Sequence, residues 1–135
     1  MKRFNLALGL TLLFAAAAFA ARSYPDITQD QLKQAIAAKS AVLLDANGSD
    51  SYKEGHIPGA IDFDSNQDHL ASLLPADKNT LIVAYCGGEQ CTAYKAAAAA
   101  AVKLGYTNVK HFAPGISGWK NSGQPTEPGA RTGNV

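Results

Sequence analysis

Cysteine is scarce in this chain of 135 residues: there are two, Cys86 and Cys91, and both lie in one stretch, "YCGGEQCTAY". Their C-x4-C spacing is not the C-x2-C of a thioredoxin-like redox motif or a zinc knuckle. Histidine is sparse too: there are 3, and His56, His69 and His111 show no local ligand spacing to one another or to the cysteines, so no metal is expected. An excess of one charge is also missing. Lys and Arg number 12 against 11 Asp and Glu, a balance that offers nothing to nucleic acid or to an anionic membrane surface. No internal repeat is present. Past the first twenty residues no apolar run approaches the roughly 20 residues that a bilayer span requires.

Those first twenty residues stand apart from the rest. Lys2 and Arg3 precede an apolar run from Leu6 to Phe19, and Ala18-Phe19-Ala20 fits the small-x-small rule of a cleavage site. A buried helix and an uncleaved anchor are the rival readings, but the stretch is alanine-rich and short for a span. The expectation is a signal peptide over residues 1–20, cleaved after Ala20, and a periplasmic or secreted mature chain. Its loss takes Lys2 and Arg3 away, so the 12 basic residues fall to ten against 11 acidic ones. The remainder has room for one core, and 47% apolar content fits a globular domain. A monomer without a membrane span and without a nucleic-acid partner is expected. Export also leaves the redox state of the two thiols open, because outside the cytoplasm they can be driven to a disulfide.

Thr28 followed by Gln31 forms a capping box, and Leu32, Ala35, Ile36 and Lys39 mark a short amphipathic helix. "AVLLD", residues 41–45, is a continuous apolar run closed by an acid, the pattern of a strand buried on both faces. A loop rich in Gly, Asn, Asp and Ser follows, with one helical turn near Tyr52, and returns to a short strand over residues 60–63. Ser65 with Asp68 signals a helix start, and Leu70, Leu73 and Leu74 run on to a stop at Pro75. "TLIVAY", residues 80–85, is the strongest strand pattern and ends at Cys86. Helix formers run from Thr92 to Leu104, with small alanines that let a helix lie close on a sheet, and Gly105 supplies the stop. "NVKHF" reads as a last strand, "GISGWKNSG" as a helical turn, and the tail past Gln124 as frayed. Strands alternating with helices predict an α/β fold: a mostly parallel central sheet with helices on both faces. In such sheets ligands bind at the carboxyl ends of the strands. Cys86 occupies one of those ends.

A structural disulfide, a metal clip and a reactive thiol are all conceivable roles for the pair. A strand ending at a cysteine, a glycine-containing loop and a helix start at Thr92 would aim backbone N–H groups above the sulfur, with about half a positive charge from the helix end. That setting lowers a thiol pKa from its free value of about 8.5 and favours the attacking thiolate. His56, in "GHIPGA", reads as a turn-holding histidine, and Trp119 as packing at the sheet edge.

The run "LLDANGSDSYKEGHIPGAIDFD", then "LIVAYCGGEQCT", "GYTNV" and "GISGWKNSGQP", resembles a single-domain rhodanese of the sulfurtransferase family, over about residues 24–126. The resemblance implies a three-layer rhodanese-like domain over residues 21–126, and the Gly- and Pro-rich end is expected to form a flexible tail over 127–135. It implies that Cys86 is catalytic, taking sulfane sulfur from a small donor such as thiosulfate as a persulfide and passing it to cyanide or to a thiol, a protein thiol included, with no cofactor. It makes Gly87, Gly88, Glu89, Gln90, Cys91 and Thr92 the substrate-binding loop, with Asp45 as support.

Two departures reduce positive charge. The family often closes the loop with an arginine, where this chain has Cys91, and its usual Asp-x-Arg reads Asp45-Ala46-Asn47. A missing guanidinium gives up a charge-assisted contact worth on the order of 1.5–3 kcal/mol, and Glu89 repels an anion, so weak thiosulfate turnover is expected. The six-position loop and the absent arginine also argue against the related dual-specificity phosphatases. Cys91 stays open: a resolving thiol that attacks the persulfide on Cys86, expelling hydrogen sulfide, or an inert small residue. The alternatives to sulfur transfer are a thiol-disulfide or polysulfide-handling protein using both cysteines and a catalytically silent rhodanese-like binding module.

Overall fold

The computed structural model describes residues 23–129. The expected signal peptide and the last residues of the expected tail, 130–135, lie outside the described residues. Within them the chain runs α1 (Gln29–Ala37), β1 (Ala41–Asp45), α2 (Ser49–Glu54), β2 (Ile61–Asp62), α3 (Phe63–Asn66), a 3-10 turn (Gln67–His69), α4 (Leu70–Leu73), β3 (Leu81–Tyr85), α5 (Tyr94–Lys103), β4 (Val109–His111) and α6 (Gly115–Asn121). The four strands form one all-parallel sheet in the order β2-β1-β3-β4. Among the described residues no helix is long and apolar enough to cross a membrane.

The two apolar strand runs take the centre. β1 and β3 pair in register from Ala41 with Leu81 to Asp45 with Tyr85, and their alternate side chains feed two cores, one on each face. On one face Leu44, Ile82, Ala84 and Cys86 pack with Phe63, Leu70 and the alanines of α5, Ala97, Ala98 and Ala101. On the other, Leu43, Val83 and Tyr85 pack with Leu32 of α1, Tyr52 of α2 and Ile116 and Trp119 of α6. The sheet is thus covered on both faces, and the small side chains of α5 bring its backbone close to β3.

Local chemistry sets the boundaries. Thr28 caps α1 reciprocally: its hydroxyl accepts from the Gln31 amide at 3.2 Å, and the Gln31 side chain accepts from the Thr28 amide at 3.1 Å. The outer edge of β4 is not bare. Ile27 donates to the His111 carbonyl and His111 to the Pro25 carbonyl, both at 2.9 Å, so the entering chain covers the sheet edge.

Several boundaries differ from the sequence expectation, and the strands expected over 60–63 and "NVKHF" are shorter, at Ile61–Asp62 and Val109–His111. The helix after β2 starts at Phe63, because the cap is Asp62 and not Ser65: the Asp62 carboxylate accepts from the amides of Asp64 and Ser65 and from the Ser65 hydroxyl. The expected single helix is broken by the 3-10 turn. α5 begins at Tyr94 rather than Thr92, since Thr92 and Ala93 are spent on i→i+3 bonds to Lys95 and Ala96. Past Gln124 the tail is tied down as far as Gly129, against the expectation of fraying. His56 and Glu127 exchange backbone hydrogen bonds at 3.0 and 2.9 Å, Gly129 donates to the Lys53 carbonyl at 2.8 Å, and the Trp119 indole donates to the Pro125 carbonyl at 2.8 Å. A buried indole N–H needs an acceptor, and the tail supplies it.

Candidate active site

In this strand order the chain leaves β1 for β2 on one side and returns to β3 on the other, so the carboxyl ends of β1 and β3 flank a topological switch point. Asp45 closes β1 there, and Cys86 follows directly on β3. The loop from Gly87 to Ala93 then leads into α5.

Cys86 is 1% exposed, packed in the α5-side core, while Cys91 is half-buried. The two are joined in a disulfide with their Cα atoms 6.2 Å apart, within the usual range for such a bridge. The loop curls to allow it through a hydrogen bond from the Cys91 amide to the Gly88 carbonyl at 3.0 Å. Among the described residues, the amides of Gly87, Gly88, Glu89, Gln90 and Thr92 donate to no carbonyl or side chain. Gly87 and Gly88 are half-buried, whereas Glu89, Gln90 and Thr92 are exposed. Unpaired amides in a glycine-containing loop, beside the N-terminus of α5, suit an anion or a thiolate.

The loop is braced from behind by α6. Ile116 donates to the Cys86 carbonyl at 2.9 Å and Ser117 to the Gly87 carbonyl at 3.0 Å. This contact needs Gly115: at φ +60°, a Cβ there would lie 2.5 Å from the Cys86 carbonyl oxygen and 2.6 Å from the Gly88 nitrogen. In the sequence Gly115 carries no signal beyond the adjacent "PG", which marks only a turn. Tyr85 likewise carries no signal there as a polar residue.

Asp45 does not join the cysteine. Its carboxylate lies in the opposite layer, 1% exposed, accepting from the Tyr85 hydroxyl at 2.7 Å and from the Asn47 amide at 2.8 Å. Burial pushes its carboxyl above the usual carboxylate range, against the pull of both hydrogen bonds. Tyr85 is itself driven well above the ordinary phenol range by burial and by the Asp45 charge, so it stays a donor. Its oxygen also accepts from the Ile57 amide at 3.0 Å. Asp45, Tyr85 and Ile57 thereby lock the β1 end, the β3 end and the "GHIPGA" loop together. His56 holds the same loop: Nδ1 donates to the Tyr52 carbonyl at 2.9 Å, and the ring stacks on Tyr52 with centroids 3.7 Å apart.

Residues 23–129 contain no arginine, so among the described residues no guanidinium reaches the site. His69 is exposed. His111 is buried at the end of β4, bonded to Asp26 and stacked on Tyr94. Among the described residues no group of three or more His, Cys, Asp or Glu side chains is placed to hold a metal ion.

A family model described as Rhodanese-like domain matches residues 28–122. In sequence, the chain is 34% identical over 110 residues to an HTH-type transcriptional regulator of Mycobacterium tuberculosis, a match over 80% of this chain and 47% of that protein. The chain thus spans about half the length of the curated relative it matches. Among solved structures, it is similar to the Rhodanese-like domain of an Anabaena protein, at 25% identity and a TM-score of 0.61, over 84% of this chain and 92% of that one. It is also similar to a thiosulfate sulfurtransferase from Pseudomonas aeruginosa, at 26% identity and a TM-score of 0.62, over 83% of this chain and 22% of that one.

Proposed function

The chain belongs to the rhodanese-like domain family, and from that premise we propose that it is an exported sulfurtransferase that carries sulfane sulfur as a persulfide on Cys86. The observation that carries the reading is Cys86 at the end of β3, opening a loop in which the amides of Gly87, Gly88, Glu89, Gln90 and Thr92 are unpaired among the described residues and whose backbone is braced by α6. Once the disulfide is reduced, that loop and the N-terminus of α5 favour the thiolate. The Cys86 thiolate attacks the outer sulfur of a sulfane donor. The donor's S–S bond breaks, its electron pair leaves with the donor, and the persulfide remains. An acceptor thiolate or cyanide then takes the terminal sulfur and returns the Cys86 thiolate.

A second reading rests on the bridge between Cys86 and Cys91. In it the Cys91 thiolate attacks Sγ of the Cys86 persulfide, expels hydrosulfide and closes the disulfide, so the protein reduces sulfane sulfur to hydrogen sulfide and needs a reductant for each turnover. The two readings share the persulfide and divide at the second step. The 10 basic residues left after leader removal, against 11 acidic ones, support no role for nucleic acid, whatever the matched regulator does with the rest of its length.

The test is hydrogen sulfide release from inorganic polysulfide by the reduced protein, with and without added thiol. Release without added thiol that stops after one equivalent, and is lost in Cys91→Ala, supports the second reading. Release only with added thiol, kept in Cys91→Ala, supports simple transfer. No release and no sulfur on Cys86 in either case leaves a silent binding module and overturns both.

A further inference from the structure

The bridge is lopsided. Cys86 is 1% exposed and sits in a cluster with Leu44, Ala84 and Ala97, whereas Cys91 is half-buried between exposed Gln90 and exposed Thr92. Thiol–disulfide exchange is an in-line displacement. A thiolate attacking one sulfur approaches from the side away from the other, so access decides which sulfur is struck. An attack on Cys86 would have to pass through packed side chains, but Cys91 can be met from solvent.

We propose that Cys91 is the docking point for a reducing dithiol partner, which forms its mixed disulfide with Cys91 and never with Cys86. The proposal rests on the redox reading above and supplies the partner class that reading requires. The partner's thiolate bonds to Cys91 Sγ, and the Cys86–Cys91 bond breaks with its electron pair on Cys86. The partner's second thiol, deprotonated, then attacks its own sulfur in the mixed disulfide and expels the Cys91 thiolate, which takes up the proton. Net, the dithiol is oxidised by two electrons and the bridge is reduced.

The order matters for chemistry. Cys86 is freed first, as the leaving thiolate, beside the Gly87 and Gly88 amides, which are unpaired among the described residues, and low leaving-group basicity speeds the step. Cys91 stays occupied by the partner until the second exchange, so it cannot reclose on a persulfide in that interval. Within four residues of Cys91 along the chain there is one acid, Glu89, and one base, Lys95, both exposed, with uncharged Gln90, Thr92 and Ala93 between them. A partner with a neutral, narrow thiol-bearing surface fits there better than a highly charged one.

The experiment uses the oxidised protein and glutathione as the probe thiol. The reaction is quenched in acid at early times, the freed thiol is alkylated, and the product is cleaved after Glu89, which separates Cys86 from Cys91. The expected result is glutathione on Cys91 and the alkyl group on Cys86, in excess over the reverse product by about tenfold or more, since exchange follows access. Glutathione on Cys86, an even split, or an oxidised protein that resists glutathione altogether overturns the proposal. So does a protein that keeps two free thiols under air. A parallel sample of reduced Cys91→Ala, treated with inorganic polysulfide, reports sulfur on Cys86 independently. That arm can fail while the glutathione map succeeds, or succeed while the map fails, so the proposal and the sulfurtransferase reading fall separately.

Discussion

The Tyr85 hydroxyl donates to the Asp45 carboxylate at 2.7 Å, joining the ends of the two central strands one residue before Cys86. Both groups are buried, and Tyr85 also accepts from the Ile57 amide at 3.0 Å. Tyr85→Phe keeps the ring and removes the oxygen, leaving a buried carboxylate short of one donor and a buried amide without its acceptor. Urea unfolding should show a loss of about 1–3 kcal/mol, the cost of such orphaned groups. An unchanged midpoint would mean that this linkage contributes nothing to the fold.

Gly115 and Gly59 form a matched pair, because both have positive φ but only Gly115 is crowded. A Cβ on Gly115 meets the Cys86 carbonyl at 2.5 Å, whereas one on Gly59 meets nothing within 4 Å. Gly59→Ala should cost roughly 1–2 kcal/mol of backbone strain and leave persulfide formation intact. Gly115→Ala should displace the loop and slow persulfide formation on the order of 100-fold, as small misplacements at a reacting centre do. Equal rates in the two variants would show that the brace behind the loop is dispensable.

The C-terminal strap predicts a cost on truncation. Ending the chain after Gly123 removes the Pro125 carbonyl from the Trp119 indole and the Glu127 backbone from His56. Chemical denaturation should register roughly 1–3 kcal/mol of lost stability for the orphaned buried donors. A truncated protein as stable as the full one would restore the expectation of a frayed tail.

These elements also mark what was legible in the sequence. "AVLLD" and "TLIVAY" read as strands because both faces are buried, so the run is unbroken; β1 (Ala41–Asp45) matches its letters and β3 (Leu81–Tyr85) leaves out only Thr80. The Thr28 box was legible because its partners, Thr28 and Gln31, lie three residues apart. Asp62 was not, since one residue ends a strand and caps the next helix, and the neighbouring Ser65 gave a decoy signal while donating to Asp62 itself. The strap escaped because its partners, His56 and Glu127, are far apart in sequence and neither is apolar. Cys86 and its loop stand out locally, whereas the brace through Gly115 depends on a long-range approach that no spacing rule encodes.

His111 supplies a pH dependence. Burial holds its imidazole below the ordinary value, with Asp26 pulling the other way and Lys95 adding slightly to the depression. The unfolded chain therefore binds a proton near pH 6.5 that the folded chain refuses, and the contribution, whole above that value, is lost as pH falls through it toward the lower folded value. Equilibrium unfolding at a series of pH values should show this loss in the wild type and a shallower one in His111→Phe, which keeps a ring on Tyr94. Parallel acid slopes in the two proteins would contradict the assignment.

The central claim is sulfur on Cys86, and mass spectrometry of reduced Cys91→Ala after treatment with inorganic polysulfide tests it most directly, because no second thiol can discharge the persulfide. The expected result is one added sulfur atom on the peptide carrying Cys86 and none when Cys86 is also replaced by serine. An unmodified Cys86, or the same mass gain without it, would contradict the account.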